Sequence, residues 1–393
     1  MKITEVQAFA VKIPRNAEEL AGGAGVVATS GTTAVTGQYM RIGHYRPLFS
    51  SDIETMMVRI ETDEGIVGWG EAQAPVLPEV PRFIVERYFR GLLLGADPMD
   101  SGVLWQRMYD SNRDRGQASG FMLDAMSAVD VALWDIKGKA LGLPVYQLLG
   151  GAFHPEVPVY LSGLVAPSLA ARVEVARTAE ARGFRAFKVF LGGEFQDDLD
   201  EVTALRDALH PDSRIMVDAH WMYSRRTAQE IGLKYQELGV HWLEAPLIPE
   251  DLDGYRELAG MLRLQIAMGE CERSPAQFAN VLNSRAADIL QPDVGRAGGI
   301  TGVMRIAAMA AERQVNIAPH CGVGLGAYAA AGLHVAAAIP NLELLEYQPE
   351  MHACIDRLIH ERFDVHDGHL SVPDRPGLGI TYDEAELARY LDA

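Results

Sequence analysis

The chain has 393 residues, longer than one ordinary core but well suited to a barrel of about 250 residues plus a smaller domain. Its 35 Lys and Arg stand against 53 Asp and Glu, a formal charge of −18, which argues against phosphate-backbone binding and so against nucleic acid as a partner. Cys271, Cys321 and Cys354 lack paired metal or disulfide spacing, "MKITEVQAFAVKIP" has no apolar leader, and no run of about eighteen apolar residues occurs, so a soluble cytoplasmic protein with no membrane partner is expected.

Residues 3 to 13 alternate apolar and polar side chains as a strand does, and "TMMVRIETDEGIVGWGEA" reads as a hairpin turning at Asp63-Glu64-Gly65. Between them, residues 17 to 50 are too long for an idle connection. They are rich in Gly, Ala, Ser and Thr, then gain Tyr39, Arg41, His44, Tyr45 and Arg46. This composition suits a lid with His44 and Tyr45 as substrate contacts, the alternative being a surface or subunit contact in a homo-oligomer. Apolar residues then fall at helical spacing from Pro78 to Asp110 and from Ser119 to Gly142, so residues 1–124 read as an α+β module. The helical pattern stops at Gly142 and Pro144.

From there the chain alternates short apolar runs with helical stretches, with strands beginning near Val157, Phe184, Arg214, His241, Gln265, Ala287, Val315 and Leu342. Charged residues close those runs at Lys188, Asp218, Glu244, Glu270, Asp293, His320 and Glu346, in steps of 30, 26, 26, 23, 27 and 26 residues. One βα unit fills such a step. In a closed parallel barrel the strand ends converge on one mouth, where Asp218, Glu244 and Glu270 would meet, and three hard oxygen donors at close range imply Mg²⁺. Residues 125–355 are read as this barrel, and residues 356–393 as a turn-rich segment that packs on the capping module.

Taken together, the Ala125–Gly150 helix, Asp218, "LEAP" at Glu244, "GE" at Glu270, "QPD" at Asp293, "PH" at His320 and the closing "DRPGLGI" resemble the enolase superfamily, in its mandelate racemase branch. The resemblance implies an α/β fold, a modified TIM-type (β/α)7β barrel under an α+β capping domain built from the N-terminal module and the C-terminal segment. It implies Mg²⁺ on Asp218, Glu244 and Glu270, and abstraction of the proton next to a carboxylate. His320 would be the base, oriented by Asp293. Lys188 and Glu346 would bind the substrate carboxylate.

Two departures narrow the reaction. The branch often carries a second lysine two positions after the first, but here the run is Lys188, Val189, Phe190, and Phe190 cannot transfer a proton. This disfavours two-base racemisation and leaves one face of the α-carbon, which the branch associates with 2R acids. The other departure is His220, where many relatives carry Asn and acid-sugar dehydratases often carry His. Alternation along a strand sets it beside Asp218, as a candidate acid for a departing hydroxyl. The expected activity is Mg²⁺-dependent dehydration of an anionic aldonate or aldarate to a 2-keto-3-deoxy acid, with cycloisomerisation or racemisation as alternatives. Arg296, Trp221, Tyr223 and Tyr347, near strand ends, are further candidates for substrate contact.

Overall fold

The structure, a computed structural model, describes residues 1–15 and 32–391; the first part of the expected lid, residues 17–31, lies outside them. The first six strands are β1 (Ile3–Pro14), β2 (Thr32–Thr36), β3 (Tyr39–Ile42), β4 (Phe49–Ser50), β5 (Asp52–Thr62) and β6 (Val67–Ala72). The antiparallel sheet β1-β5-β6 is the expected hairpin with the N-terminal strand added, and β2-β3-β4 form a second small sheet from the remainder of the expected lid.

Helix Phe121–Leu141 lies directly on β6, and the reason is glycine. A Cβ at Gly68 would stand 2.3 Å from the Ala132 carbonyl oxygen, and one at Gly70 only 1.9 Å from that of Ala128. No other residue lets helix and strand come so near. The helix buries Leu123, Met126, Val129 and Leu133 against Val6, Met56, Val58 and Ile60 of the sheet and Trp105 of the preceding helix, which together form the core of the capping module. It ends at Gly142, whose φ of 68° suits a left-handed cap.

The barrel strands are β7 (Glu156–Ser162), β8 (Ala186–Phe190), β9 (Arg214–Asp218), β10 (Trp242–Glu244), β11 (Gln265–Met268), β12 (Ile289–Leu290), β13 (Asn316–Ile317) and β14 (Leu345–Tyr347), each within three residues of its expected start. Neighbours pair in parallel from β7 to β13. The ring closes through β14 on β7 and a parallel bridge between Ile317 and Leu342. A helix follows each of the first seven strands, which gives the (β/α)7β order. The C-terminal segment adds β15 (Val365–His366) and β16 (His369–Ser371). It touches both halves: β16 pairs antiparallel with β7, Tyr382 packs 5.3 Å from Trp69, and Leu391 bridges Val11. Among the described residues no helix is long and apolar enough to cross a membrane.

His334, in helix Gly326–Ala338, is fully buried. Its Nδ1 accepts from the Tyr146 amide at 3.3 Å and its Nε2 meets the Leu378 carbonyl at 3.1 Å. Burial pushes its pKa down to about 4, so the folded protein keeps the ring neutral while the unfolded chain protonates it near pH 6.5. The stability this contributes is complete above pH 6.5 and is lost as pH falls toward 4, at most about 3 kcal/mol. Thermal melts of wild type and His334→Gln at pH 7 and pH 4.5 should therefore show a steeper loss of Tm on acidification for the wild type. Parallel losses would mean that His334 does not titrate on unfolding.

Candidate active site

The barrel interior is built in layers. Tyr160, Ala186, Met216, Trp242, Ala267, Ile289, Ala318 and Leu344, one from each strand or its flank, form a separate buried cluster inside the ring. Side chains alternate along a strand, so the residue two positions further on faces inward again, one layer nearer the mouth. Those residues are Ser162, Lys188, Asp218, Glu244, Gly269, Gln291, His320 and Glu346. An apolar plug thus carries a polar ring directly above it.

Lys188 is the centre of that ring and is 1% exposed. Its Nζ donates to Glu244 Oε1 at 2.9 Å, lies 3.0 Å from Glu346 Oε1 and stands 3.9 Å from Asp218 Oδ2. Burial opposes its charge, but Glu244 and Glu346 outweigh that and hold its pKa well above the ordinary lysine value. Glu346 is held low in return: burial raises it, and Lys188, His320 and hydrogen bonds from the Cys321 amide and Ser162 hydroxyl overcome the rise. Asp218 fares differently. Burial and then the neighbouring Glu244 charge drive its pKa well above the usual carboxylate range, so the ring holds more negative charge than Lys188 offsets.

Across the mouth, His320 Nδ1 lies 2.6 Å from Asp293 Oδ2 and its Nε2 lies 3.1 Å from Glu270 Oε2. Burial would lower its pKa; the bonds to Asp293 and Glu270 raise it to about 10. Asp293 is fixed by two further donors, the Gly295 amide at 2.7 Å and the Tyr328 hydroxyl at 2.7 Å. Because the Gly322 amide donates into that hydroxyl at 2.8 Å, Tyr328 is left to donate to Asp293. Tyr328 is in turn held by Glu71 of the capping module, whose carboxylate accepts from the Leu325 and Tyr328 amides at the start of helix Gly326–Ala338. Tyr328 and Glu71 were not legible as site residues, although Tyr328 is the one large polar side chain in "GAYAAAG".

His220 reaches the mouth by a different route from simple alternation. Strand β9 stops at Asp218, and His220 and Trp221 take left-handed φ values of 48° and 59°. The His220 amide donates to Asp218 Oδ1 at 2.9 Å, while its ring meets Tyr45 at 5.1 Å and Phe49 at 6.4 Å, both from the capping module. Burial lowers its pKa below the ordinary histidine value, which opposes the imidazolium expected from the sequence.

A cavity of about 350 Å³ opens above these residues, lined by Lys188, Asp218, His220, Glu270, His320 and Glu346 from the barrel and by Tyr45, Phe49 and Gln73 from the cap. Phe190 forms part of its wall, over the Lys188 ammonium. Arg296 lines it too, with its guanidinium directed to the Gln73 and Glu270 carbonyls. His44 corrects the expectation placed on it. It is exposed and does not line the cavity, because the turn Ile42–Tyr45 sends Tyr45 inward to the Leu191 carbonyl and leaves the His44 ring outside, tilted against that of Tyr45 at 4.4 Å. Tyr223 is also spent elsewhere, bonded to Asp198, and Tyr347 packs on His352.

Asp218, Glu244 and Glu270 were then tested as a metal site. Among the described residues no three potential ligands are drawn onto one point, because Glu244 is turned to Lys188 and Trp242, and Glu270 to His320. The donor set nevertheless fits a divalent cation: three buried hard-oxygen groups lie at the ends of neighbouring strands, paired in register at Glu244 and Asp218, and these two share Lys188 as their ion-pair partner. A cation that engaged Glu270 would also leave Asp293 as the single carboxylate on the His320 ring.

With fold and site in hand, residues 50–150 match the mandelate racemase / muconate lactonizing enzyme N-terminal domain and residues 170–386 the enolase C-terminal domain-like family. The chain belongs to the enolase superfamily, in the mandelate racemase branch. It is 34% identical to a D-galactarolactone cycloisomerase from Agrobacterium fabrum over 85% of this chain and 90% of that one. It is 36% identical to a D-galactonate dehydratase from Variovorax paradoxus over 84% and 90%. A solved racemase from Streptomyces coelicolor A3(2) with bound magnesium superposes with a TM-score of 0.85 at 29% identity, covering 99% of this chain and 100% of that one. The chain is thus similar to enzymes of sugar acids that carry out more than one reaction.

Glu244→Gln removes one charge from the proposed ion site. Titration calorimetry of Mg²⁺ into the purified protein should show binding weakened at least tenfold, and turnover should be lost. Unchanged Mg²⁺ affinity would place the ion elsewhere.

Proposed function

We propose that the protein is a Mg²⁺-dependent sugar-acid dehydratase that converts an aldonate or aldarate to its 2-keto-3-deoxy acid. The observation that carries this reading is the single base: His320 with Asp293 faces the cavity, and the position that could hold a second base is Phe190, an apolar wall. A one-base site suits elimination better than racemisation, which needs proton transfer on both faces.

Lys188 binds and orients the substrate carboxylate, and Glu346 holds the ammonium in place at 3.0 Å. His320, in its neutral form with Nε2 released from Glu270, takes the α-proton through Nε2, the ring nitrogen that faces away from Asp293. The C–H electron pair moves onto the α-carbon and carboxylate, then returns to expel the 3-hydroxyl, and the resulting enol becomes the ketone. Mg²⁺ held by Asp218, Glu244 and Glu270 would supply Lewis-acid stabilisation of the second negative charge on the carboxylate oxygens. The buried ammonium of Lys188 adds to that stabilisation in a site of low polarisability. His220, enclosed by Tyr45 and Phe49, hydrogen-bonds the departing hydroxyl, and the proton that hydroxyl needs to leave as water is balanced by the one His320 takes from the α-carbon.

Cycloisomerisation is the second reading, supported by the similarity to a D-galactarolactone cycloisomerase and by the lowered His220 pKa, which weakens the case for a strong acid at the leaving group. The two reactions share the base and differ in whether water is lost. A stereochemically complete panel of aldonates, aldarates and their lactones, followed by NMR in D₂O and by keto-acid detection, separates them. The substrates turned over are expected to be 2R acids. His320→Asn should abolish both product and α-proton exchange, by at least about 10³-fold. His220→Asn should suppress product more than exchange. Fast turnover of 2S acids, or near-normal activity of His320→Asn, would mean that another residue is the base.

A further inference from the structure

Gln73 follows β6 at the point where the capping module meets the barrel. Its backbone is fixed from both sides: the amide donates to the Gly295 carbonyl at 3.1 Å, and the carbonyl lies 3.5 Å from Arg296 Nε. A Cβ at Gly295 would fall 2.5 Å from the Gln73 nitrogen and 2.9 Å from its Cβ, so the two backbones touch. This clamp fixes the backbone at the rim of the cavity, and the side-chain amide reaches toward the base. A Cβ added at Gly322 would meet Gln73 Nε2 at 2.7 Å and His320 Cε1 at 2.8 Å, so amide and imidazole border the same small volume.

The amide is in an unusual state for a group so placed. Gln73 is 4% exposed and lines the cavity, yet its Oε1 is buried with no hydrogen-bond partner among the described residues. A buried polar atom left without a partner costs about 1–3 kcal/mol, and on a residue that lines a ligand cavity a ligand is what can supply the partner. An amide offers one acceptor and one donor at the same tip. A carboxylate, which only accepts, cannot satisfy the oxygen; a hydroxyl, which donates and accepts, suits the amide in either orientation.

We propose that Gln73 is a specificity-determining residue of the sugar-acid site, its side-chain amide binding a substrate hydroxyl on the face from which His320 takes the proton. This rests on the reading of the site as one for sugar acids. It makes the capping module a reader of hydroxyl configuration next to the reacting carbon as well as a cover over the cavity. An acid with that hydroxyl missing or inverted would leave the amide unpaired, and a site built to bond a hydroxyl discriminates strongly against such analogues.

The test compares the Mg²⁺-loaded wild type with Gln73→Leu and Gln73→Met, which keep an apolar side chain of similar reach. Two constants are read: kcat/KM for the sugar acid that the wild type turns over best, and the inhibition constant of butanoate, which has a carboxylate and no hydroxyl. The expected result is a loss of about 10–100-fold in kcat/KM, with the butanoate constant unchanged within about twofold and Tm not lowered. If both constants worsen in step, Gln73 only shapes the site and the proposal is overturned; if neither changes, the amide touches no substrate hydroxyl and it is overturned as well. Wild-type protein that turns over no sugar acid would overturn the proposed function and this inference with it, whereas wild-type turnover with unaffected variants removes this inference alone.

Discussion

The arrangement depends on one buried ammonium. Lys188 sits inside the barrel with Glu244 and Glu346 within hydrogen-bonding reach and Asp218 just beyond it, over a plug that contains Tyr160, Met216, Trp242 and Ile289. In that apolar setting neither the lysine nor the carboxylates are stable alone, because removing one partner of a buried ion pair leaves the other uncompensated at a cost of about 3–5 kcal/mol. Parallel pairing is what makes the grouping possible. Every strand presents its C-terminal end to the same mouth, so the residues two positions beyond the plug, all polar but Gly269, arrive at one height. A single ammonium shared by Glu244, Glu346 and Asp218 cannot neutralise the ring.

The capping module takes part in this site through its backbone as well as through side chains that face the cavity. Gly68 and Gly70 let helix Phe121–Leu141 lie on β6, which fixes the end of that strand against the barrel. Two residues follow from that placement. Glu71, pushed up to about 7 by burial despite its hydrogen bonds, receives the amides that begin helix Gly326–Ala338 and so holds Tyr328, which holds Asp293, which holds His320. Gln73, two positions on, reaches the cavity itself. Movement of the cap relative to the barrel would therefore disturb the base directly.

What the sequence made legible was the periodic part. A repeated strand-end position needs only the period and the residue type, so Lys188, Asp218, Glu244, Asp293, His320 and Glu346 could be placed from spacing, and the same rule would have found Ser162 and Gln291. Contacts made across the domain boundary leave no such period. Gln73, Glu71 and Tyr328 are brought to His320 by the docking of β6 on the barrel, which no local pattern encodes. His44 was misplaced for a related reason: a lid's composition says that some of its side chains face inward, but the turn at Ile42–Tyr45 decides which. Glu270 and Asp293 are partial exceptions within the periodic set, since the inward positions of their strands are Gly269 and Gln291 and the carboxylates come one and two residues later.

Three of the seven left-handed non-glycine residues among the described residues lie where those two kinds of contact meet. His220, Trp221 and Ala245 all have left-handed φ values without being glycine, and each such residue costs on the order of 1–2 kcal/mol. The first two follow β9 and the third follows β10, the strands that end in Asp218 and Glu244. The Trp221 amide reaches the Ala245 carbonyl at 2.7 Å and the His220 amide caps Asp218 at 2.9 Å, so the strained turns lock to each other and to a carboxylate of the ring. An unstrained extended chain would carry His220 past the mouth. The left-handed turn instead folds its ring under Tyr45 and Phe49, where burial lowers its pKa and the cap encloses it. The position of His220 is thus a joint product of strand-end strain and cap packing, and a relaxed turn at Gly in its place would release the strain while emptying the aromatic enclosure that faces the substrate.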